Sequence, residues 1–203
     1  MPRPLIFDIG NVLLRWDPQA LFRQLLPDDA AVAAFLDEIG FSDWNHGFDG
    51  GIPWEDGVAA HSARFPHRAE LLAAYHARWH ETITGPVPGM PELLADLAAA
   101  EVPLYAITNF SEPKFVETLA RYPFLAESFR DIVVSGVERL TKPEPEIFRL
   151  CLSRNGLAAG DAVFIDDLPK NVAAAEALGL AGIVFTDAPT LRRALREEIG
   201  LPV

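Results

Sequence analysis

Cysteine is almost absent: the 203 residues hold one, Cys151. That excludes an intramolecular disulfide framework and a cysteine-rich zinc module. Basic residues are scarce too, 17 Lys and Arg against 29 Asp and Glu, for a net charge of −12. Nucleic-acid binding would need a basic stripe, and an anionic membrane surface would repel this chain. A small anionic ligand is compatible, provided its site is locally positive. No run approaches the ~18 apolar residues of a membrane helix. The opening MPRPLIFDIG has one arginine and too short an apolar stretch for a signal peptide. Internal repeats and low-complexity tracts are missing as well. These absences predict a soluble cytoplasmic protein with no nucleic acid and no membrane among its partners.

What is present is ordinary globular composition, 50% hydrophobic and 23% charged. The length fits one large domain, or a core domain with an insertion. Short runs that are apolar at every position predict strands covered on both faces, as in parallel sheets. They are Pro4–Phe7, Leu104–Ile107, Ile132–Val134, Ala162–Ile165 and Gly182–Phe185. Helical periods alternate with them: Pro91–Ala100, Glu112–Arg121, Glu144–Asn155, Pro169–Leu178 and Ala188–Ile199. Such alternation predicts a three-layer α/β core with a Rossmann-like parallel sheet. Residues 15–86 differ. They show no convincing strand, and helical stretches are expected at Pro18–Leu26, Asp28–Ile39, Pro53–Arg64 and His67–Thr82. Gly47, Gly50 and Gly51 interrupt them, and Gly85–Gly89 reads as a hinge back to the core. The expected division is an α/β core of residues 1–14 and 87–203, with residues 15–86 as an inserted all-helical cap.

In a parallel α/β sheet, ligands bind beyond the carboxyl ends of the strands. Polar residues fall there on three separate strands: Asp8, then Thr108 and Asn109, then Asp166 and Asp167. One aspartate after a strand is usually a turn residue or a helix cap; three such ends on one edge are less easily chance. The aspartates are hard oxygen ligands suited to Mg²⁺, and crowded carboxylates repel one another unless a cation neutralises them. The helix start after Thr108 offers backbone N–H groups to an anion. Lys142 opens a helix, where an acid would be favoured, and that conflict marks it as a site candidate.

Taken together, these motifs resemble those of the haloacid dehalogenase-like hydrolase superfamily. Phe7-Asp8-Ile9-Gly10-Asn11-Val12 resembles its first motif and Ala106-Ile107-Thr108-Asn109 its second. Lys142-Pro143 resembles the third, and Phe164-Ile165-Asp166-Asp167 followed by Asn171 the fourth. The phrasing is closest to the branch of bacterial α-D-glucose-1-phosphate phosphatases. The resemblance implies an Mg²⁺-dependent phosphatase for a small phosphorylated metabolite, in particular a sugar phosphate. Asp8 would be the nucleophile that forms an aspartyl-phosphate. Mg²⁺ would be held by Asp8, the Gly10 carbonyl and Asp167, with Asp166 as ligand or support. Thr108, Asn109 and Lys142 would hold the phosphoryl oxygens, Asn11 would join them in binding substrate, and Asn171 would orient the acidic pair.

The sequence departs from that pattern at Gly10, where related phosphatases carry a second aspartate as acid and base. Leaving-group protonation therefore has no evident donor; a water or a cap residue such as His46 is available. A 2-haloacid dehalogenase shares the fold and the nucleophile, but typically lacks an acidic pair like Asp166-Asp167. A catalytically silent interaction domain is the remaining alternative. His76 and His80, four apart, suit either paired metal ligands or a partly exposed helix face. Trp44, Asn45, His46, Phe48 and Trp54 suit either a substrate-facing loop or cap core. Cys151, beside Phe148 and Leu152, reads as a core residue.

Overall fold

A computed structural model describes residues 2–203. Its strands are β1 (Leu5–Phe7), β2 (Leu14–Trp16), β3 (Ile83–Pro86), β4 (Leu104–Thr108), β5 (Asp131–Val134), β6 (Val163–Asp166) and β7 (Ala181–Val184). Before β3 come helices α1 (Pro18–Phe22), α2 (Asp29–Glu38), α3 (Phe41–Asp49), α4 (Trp54–Arg64) and α5 (Ala69–Ala77). After it come α6 (Met90–Ala99), α7 (Glu112–Arg121), α8 (Phe124–Ser128), α9 (Ser135–Glu138), α10 (Pro145–Arg154), α11 (Pro169–Glu176) and α12 (Ala188–Glu197). Among the described residues no helix is long and apolar enough to cross a membrane.

Five strands form one parallel sheet in the order β5-β4-β1-β6-β7. The fold class is the expected α/β core with a Rossmann-like sheet. The three central strands are buried along their whole length, which is why every position in them is apolar up to the last. Side chains alternate between faces. Leu5, Phe7, Leu104, Ala106, Val163 and Ile165 join one apolar cluster, and Ile6, Tyr105, Ile107 and Phe164 the other. Cys151 is buried in the second cluster, where burial pushes its thiol up to about 12 and leaves it unreactive.

Sequence order reverses beside β1, which pairs with β4 on one side and β6 on the other. That is the switch point where a crevice opens at the carboxyl ends of the strands. The chain leaves β1 through Gly10 and Asn11. Asn11 takes φ 55°, a left-handed conformation that asparagine tolerates better than most residues.

Two expectations for residues 15–86 are corrected. The segment is not free of strands: β2 and β3 pair antiparallel across its base. These strands are three and four residues long, too short to show a period, and part of the expected Gly85–Gly89 hinge lies in β3. Gly47 does not break the helical pattern either; α3 runs through it and stops at Gly50. Elsewhere the local signals hold. Asp17 caps α1 by accepting from the Gln19 N–H, with Pro18 in the first turn. Asp28 caps α2 in the same way through the Ala31 N–H.

An aromatic core fills the helical segment. Phe48 stacks flat on Trp54 at 4.0 Å, Trp44 meets Phe48 edge-on, and Tyr75 packs against Trp44 and Trp54. Two hydrogen bonds tie this core to the sheet end. The Trp54 indole N–H donates to Ser111 Oγ at 2.9 Å, and Ser135 Oγ donates to the Asp49 carbonyl at 2.6 Å. Ser135 Oγ also accepts from the Phe110 N–H. The same joint explains Gly136, where a Cβ would lie 2.7 Å from Glu112 N and 2.8 Å from the Phe110 carbonyl. Those are backbone atoms that cannot rotate away. Gly136→Ala is therefore expected to cost about 1–3 kcal/mol, checked by urea denaturation; an unchanged midpoint would show that the joint yields freely.

Candidate active site

The residues that follow β1, β4 and β6 converge at the crevice. Asp8, Asp166 and Asp167 each offer a carboxylate oxygen, all within 4.8 Å of one another. Lys142 reaches between them from the loop before α10. Its Nζ lies 2.8 Å from Asp8 Oδ1 and 2.7 Å from Asp166 Oδ2, and its side chain is 1% exposed. Burial works against the charge on this lysine. The carboxylates of Asp8 and Asp166 outweigh it and hold the ammonium above its ordinary range.

The loop carrying Lys142 is clamped by Asn109, whose Nδ2 donates to the Lys142 carbonyl and whose Oδ1 accepts from the Lys142 N–H. The asparagine side chain thus aims the lysine, and its backbone N–H is left to meet an anion. Thr108 is buried at the end of β4 and is not among the cleft-lining residues.

The two neighbouring aspartates differ in what is left to bind. Asp166 is fully engaged: Oδ1 accepts from the Leu168 N–H and Asn171 Nδ2, while Oδ2 accepts from Lys142 and Asn171 Nδ2. Asp8 has Oδ1 filled by the Ile9 N–H and Lys142, and no hydrogen bond to Oδ2 from among the described residues. Burial raises Asp8 to about 7; Lys142 opposes that, and Asp166 and Asp167 add to it. Asp167 is raised too, by burial first and then by Asp166. The Gly10 carbonyl accepts none of the hydrogen bonds that close its turn, which run between Asn11, Leu14 and Ile9.

These residues open into a cleft of about 550 Å³ beneath the helical segment. Asp8, Gly10, Asn11, Asn109, Lys142 and Asp167 line its floor. Trp16, Phe41, Ser42, Asn45, His46 and Asp49 line the opposite side. The structure divides the aromatic cluster that the sequence left open. Asn45 and His46 face the cleft, whereas Trp44, Phe48 and Trp54 are buried core. His76 and His80 are separated by the end of α5, and His76 stacks on Trp54, so they share no helix face as paired ligands.

Asp49 was not apparent from the sequence. It is one acid before a glycine pair, with nothing in its spacing to single it out. In the structure its carboxyl is raised to about 7, by burial first and then by the charge on Asp8, with Lys142 pulling the other way.

The cleft is also not the locally positive site that an anionic ligand calls for. Asp8, Asp43, Asp49 and Asp167 line it against Lys142 and Lys170. A phosphate dianion enters such a site only alongside another cation. The oxygens of Asp8, Asp167 and Gly10 are hard donors lining one cleft, which fits Mg²⁺.

Comparison with known proteins identifies the family. The family model for haloacid dehalogenase-like hydrolases matches residues 4–179. The chain is 27% identical to the sesquiterpene phosphatase astK of Aspergillus oryzae, covering 96% of this chain and 95% of that protein. It is 27% identical to a phosphoglycolate phosphatase of Pectobacterium atrosepticum over 91% of this chain and 80% of the other. It spans only 19% of Acyl-CoA dehydrogenase family member 10 of Mus musculus and 46% of an Arabidopsis thaliana flavin mononucleotide hydrolase. Among solved structures, a family enzyme of Bacteroides thetaiotaomicron in complex with magnesium and inorganic phosphate superposes with a TM-score of 0.68 at 19% identity. That superposition covers 92% of this chain and 96% of the other. The chain belongs to the haloacid dehalogenase-like hydrolases.

Proposed function

We propose that this hydrolase is an Mg²⁺-dependent phosphatase for a small phosphate monoester, a sugar phosphate in particular, working through an aspartyl-phosphate on Asp8. The observation that carries the reading is the buried ammonium of Lys142 held on Asp8 beside the partly exposed carboxylate of Asp167. One face of this floor neutralises a phosphoryl group while the other presents a nucleophile to it, and phosphoryl transfer asks mainly for that positioning. When bound to Asp8, the Gly10 carbonyl and Asp167, Mg²⁺ supplies positive charge to the phosphoryl oxygens and keeps Asp8 ionised. Lys142 draws charge from the transferring group and is itself fixed by Asp166 and the Asn109 clamp. Asn171 and the Leu168 N–H hold Asp166 in place for that task.

The polar opposite wall, with Ser42, Asn45 and His46 beside Trp16 and Phe41, suits the hydroxyls and apolar face of a sugar. The phosphatase names of the two relatives that the chain spans almost fully favour the same chemistry. A dehalogenase would have no use for the Asp167 carboxylate, and a silent interaction domain would carry the acidic cluster without return.

The test is a screen over sugar and nucleotide phosphates and 2-chloropropionate, each with EDTA and with Mg²⁺ restored. Turnover of sugar phosphates that EDTA abolishes and Mg²⁺ restores is expected. Chloride release that persists in EDTA would overturn the reading in favour of dehalogenation.

A further inference from the structure

The missing second aspartate leaves a question of geometry. A Cβ built on Gly10 meets nothing within 4 Å, so the place where that side chain would project is open. A small cavity of about 70 Å³ adjoins it, lined by Gly10, Trp16, Asn45 and Asp49 among others. Asp49 thus borders both the main cleft and the space beside Gly10. We propose that Asp49, at the end of α3, is the proton donor and acceptor of the reaction, supplying from the helical segment the carboxyl that the first motif lacks. The proposal rests on the phosphatase reading.

Three observations hold this carboxyl in place. Asn45, one turn earlier on α3, donates from Nδ2 to Asp49 Oδ2 at 3.1 Å. Asn45 is fixed in turn by the Tyr75 hydroxyl, which donates to its Oδ1 at 2.6 Å. The Asp49 main chain is anchored to the core by the Ser135 hydroxyl. The placement also fits. An in-line displacement needs the proton donor in the same cleft as the nucleophile but apart from it, and Asp49 lines that cleft from the helical segment while Asp8 lines it from the sheet end. The charged groups it faces are Asp8 and Lys142 on the floor, with the Tyr75 phenol behind it. Its raised carboxyl range is that of a group able to give and take a proton near neutrality.

The step balances. An Asp8 carboxylate oxygen bonds to phosphorus as the bond from phosphorus to the alcohol oxygen breaks. The Asp49 carboxyl gives its proton to that oxygen, releasing the alcohol and leaving an Asp49 carboxylate. Water then attacks phosphorus and the Asp8–phosphorus bond breaks. One water proton returns to Asp49, the other stays on phosphate, and both aspartates regain their starting forms.

The experiment compares two esters on the wild type and Asp49→Asn with Mg²⁺ bound. One is p-nitrophenyl phosphate, whose leaving group departs unaided; the other is an alkyl phosphate such as glycerol phosphate. Asp49→Asn should lower kcat/KM on the alkyl ester ~10²–10⁴-fold and on the aryl ester less than about tenfold. Equal losses on both would assign Asp49 a structural role and overturn the proposal, as would no loss on either. Asp→Asn is isosteric and removes a carboxyl crowded by Asp8, so its melting temperature should not fall. A second measurement needs no variant. Across aryl and alkyl esters, wild-type kcat/KM should depend only shallowly on leaving-group pKa, and a steep slope would mean that no donor exists. A wild type that hydrolyses no phosphate ester at all overturns the phosphatase reading, and this proposal with it. Activity with the wrong dependence overturns Asp49 alone.

Discussion

Asp8→Asn is expected to lower kcat/KM for phosphate esters by on the order of 10⁴-fold or more with the fold intact. The reason is chemical. An amide nitrogen does not attack phosphorus, and the variant's remaining oxygen is needed by the Ile9 N–H and Lys142, which both donate to Oδ1 in the wild type. The structural change is slight, because the amide keeps the size of the carboxyl and one acceptor. A binding readout separates loss of chemistry from loss of fold. Mg²⁺ that binds only the folded form stabilises it in proportion to its affinity, by about 2.7 kcal/mol at a hundredfold excess over Kd. Wild type should therefore melt higher on adding Mg²⁺, and Asp8→Asn should gain distinctly less. A variant that kept a tenth of wild-type turnover would remove Asp8 from the role of nucleophile.

The α/β part was legible because burial on two faces leaves a mark in each strand. Leu5–Phe7 and Leu104–Ile107 are apolar throughout, and Asp8 and Thr108 break the pattern where the chain reaches the crevice. The edge strand β7 looked the same in sequence yet is half-exposed, since Ala181–Val184 has a neighbour on only one side. The pair β2 and β3 was not legible. Leu14 and Pro86 are partners across most of the helical segment, and no local pattern joins them. The floor of the site could be read because its residues end strands in sequence order. The opposite wall could not. Asp49 gains its meaning from Asn45, Ser135 and Asp8, which come from α3, α9 and the end of β1, and only the folded chain brings them together.

Lys142→Met should be the most damaging change to stability and nearly the most damaging to activity. The lysine is enclosed, with its ammonium between Asp8 and Asp166. Methionine fills the stem but leaves two buried carboxylates facing each other with no cation. Removing one partner of a buried ion pair typically costs about 3–5 kcal/mol, and at about 2–4 °C per kcal/mol for a chain of this size the melting temperature should fall by about 6–20 °C. Activity suffers twice. The transferring phosphoryl loses a charge worth on the order of 10²–10³ in rate. Asp8 loses the group that lowers its carboxyl range, so less of it is ionised at neutral pH. Lys142→Arg should not rescue either property, because the planar guanidinium needs more room than this closed site gives. The informative variant is the double change Lys142→Met with Asp166→Asn. It removes one of the two unpaired charges, and with it their mutual repulsion, while keeping an acceptor for the Leu168 N–H, so thermal melting should recover part of the lost stability. The steady-state rate should not recover, since no cation returns to the phosphoryl site. Lys142→Met melting within 2 °C of wild type would remove the lysine's structural role, and a double variant that regains activity would remove its catalytic one.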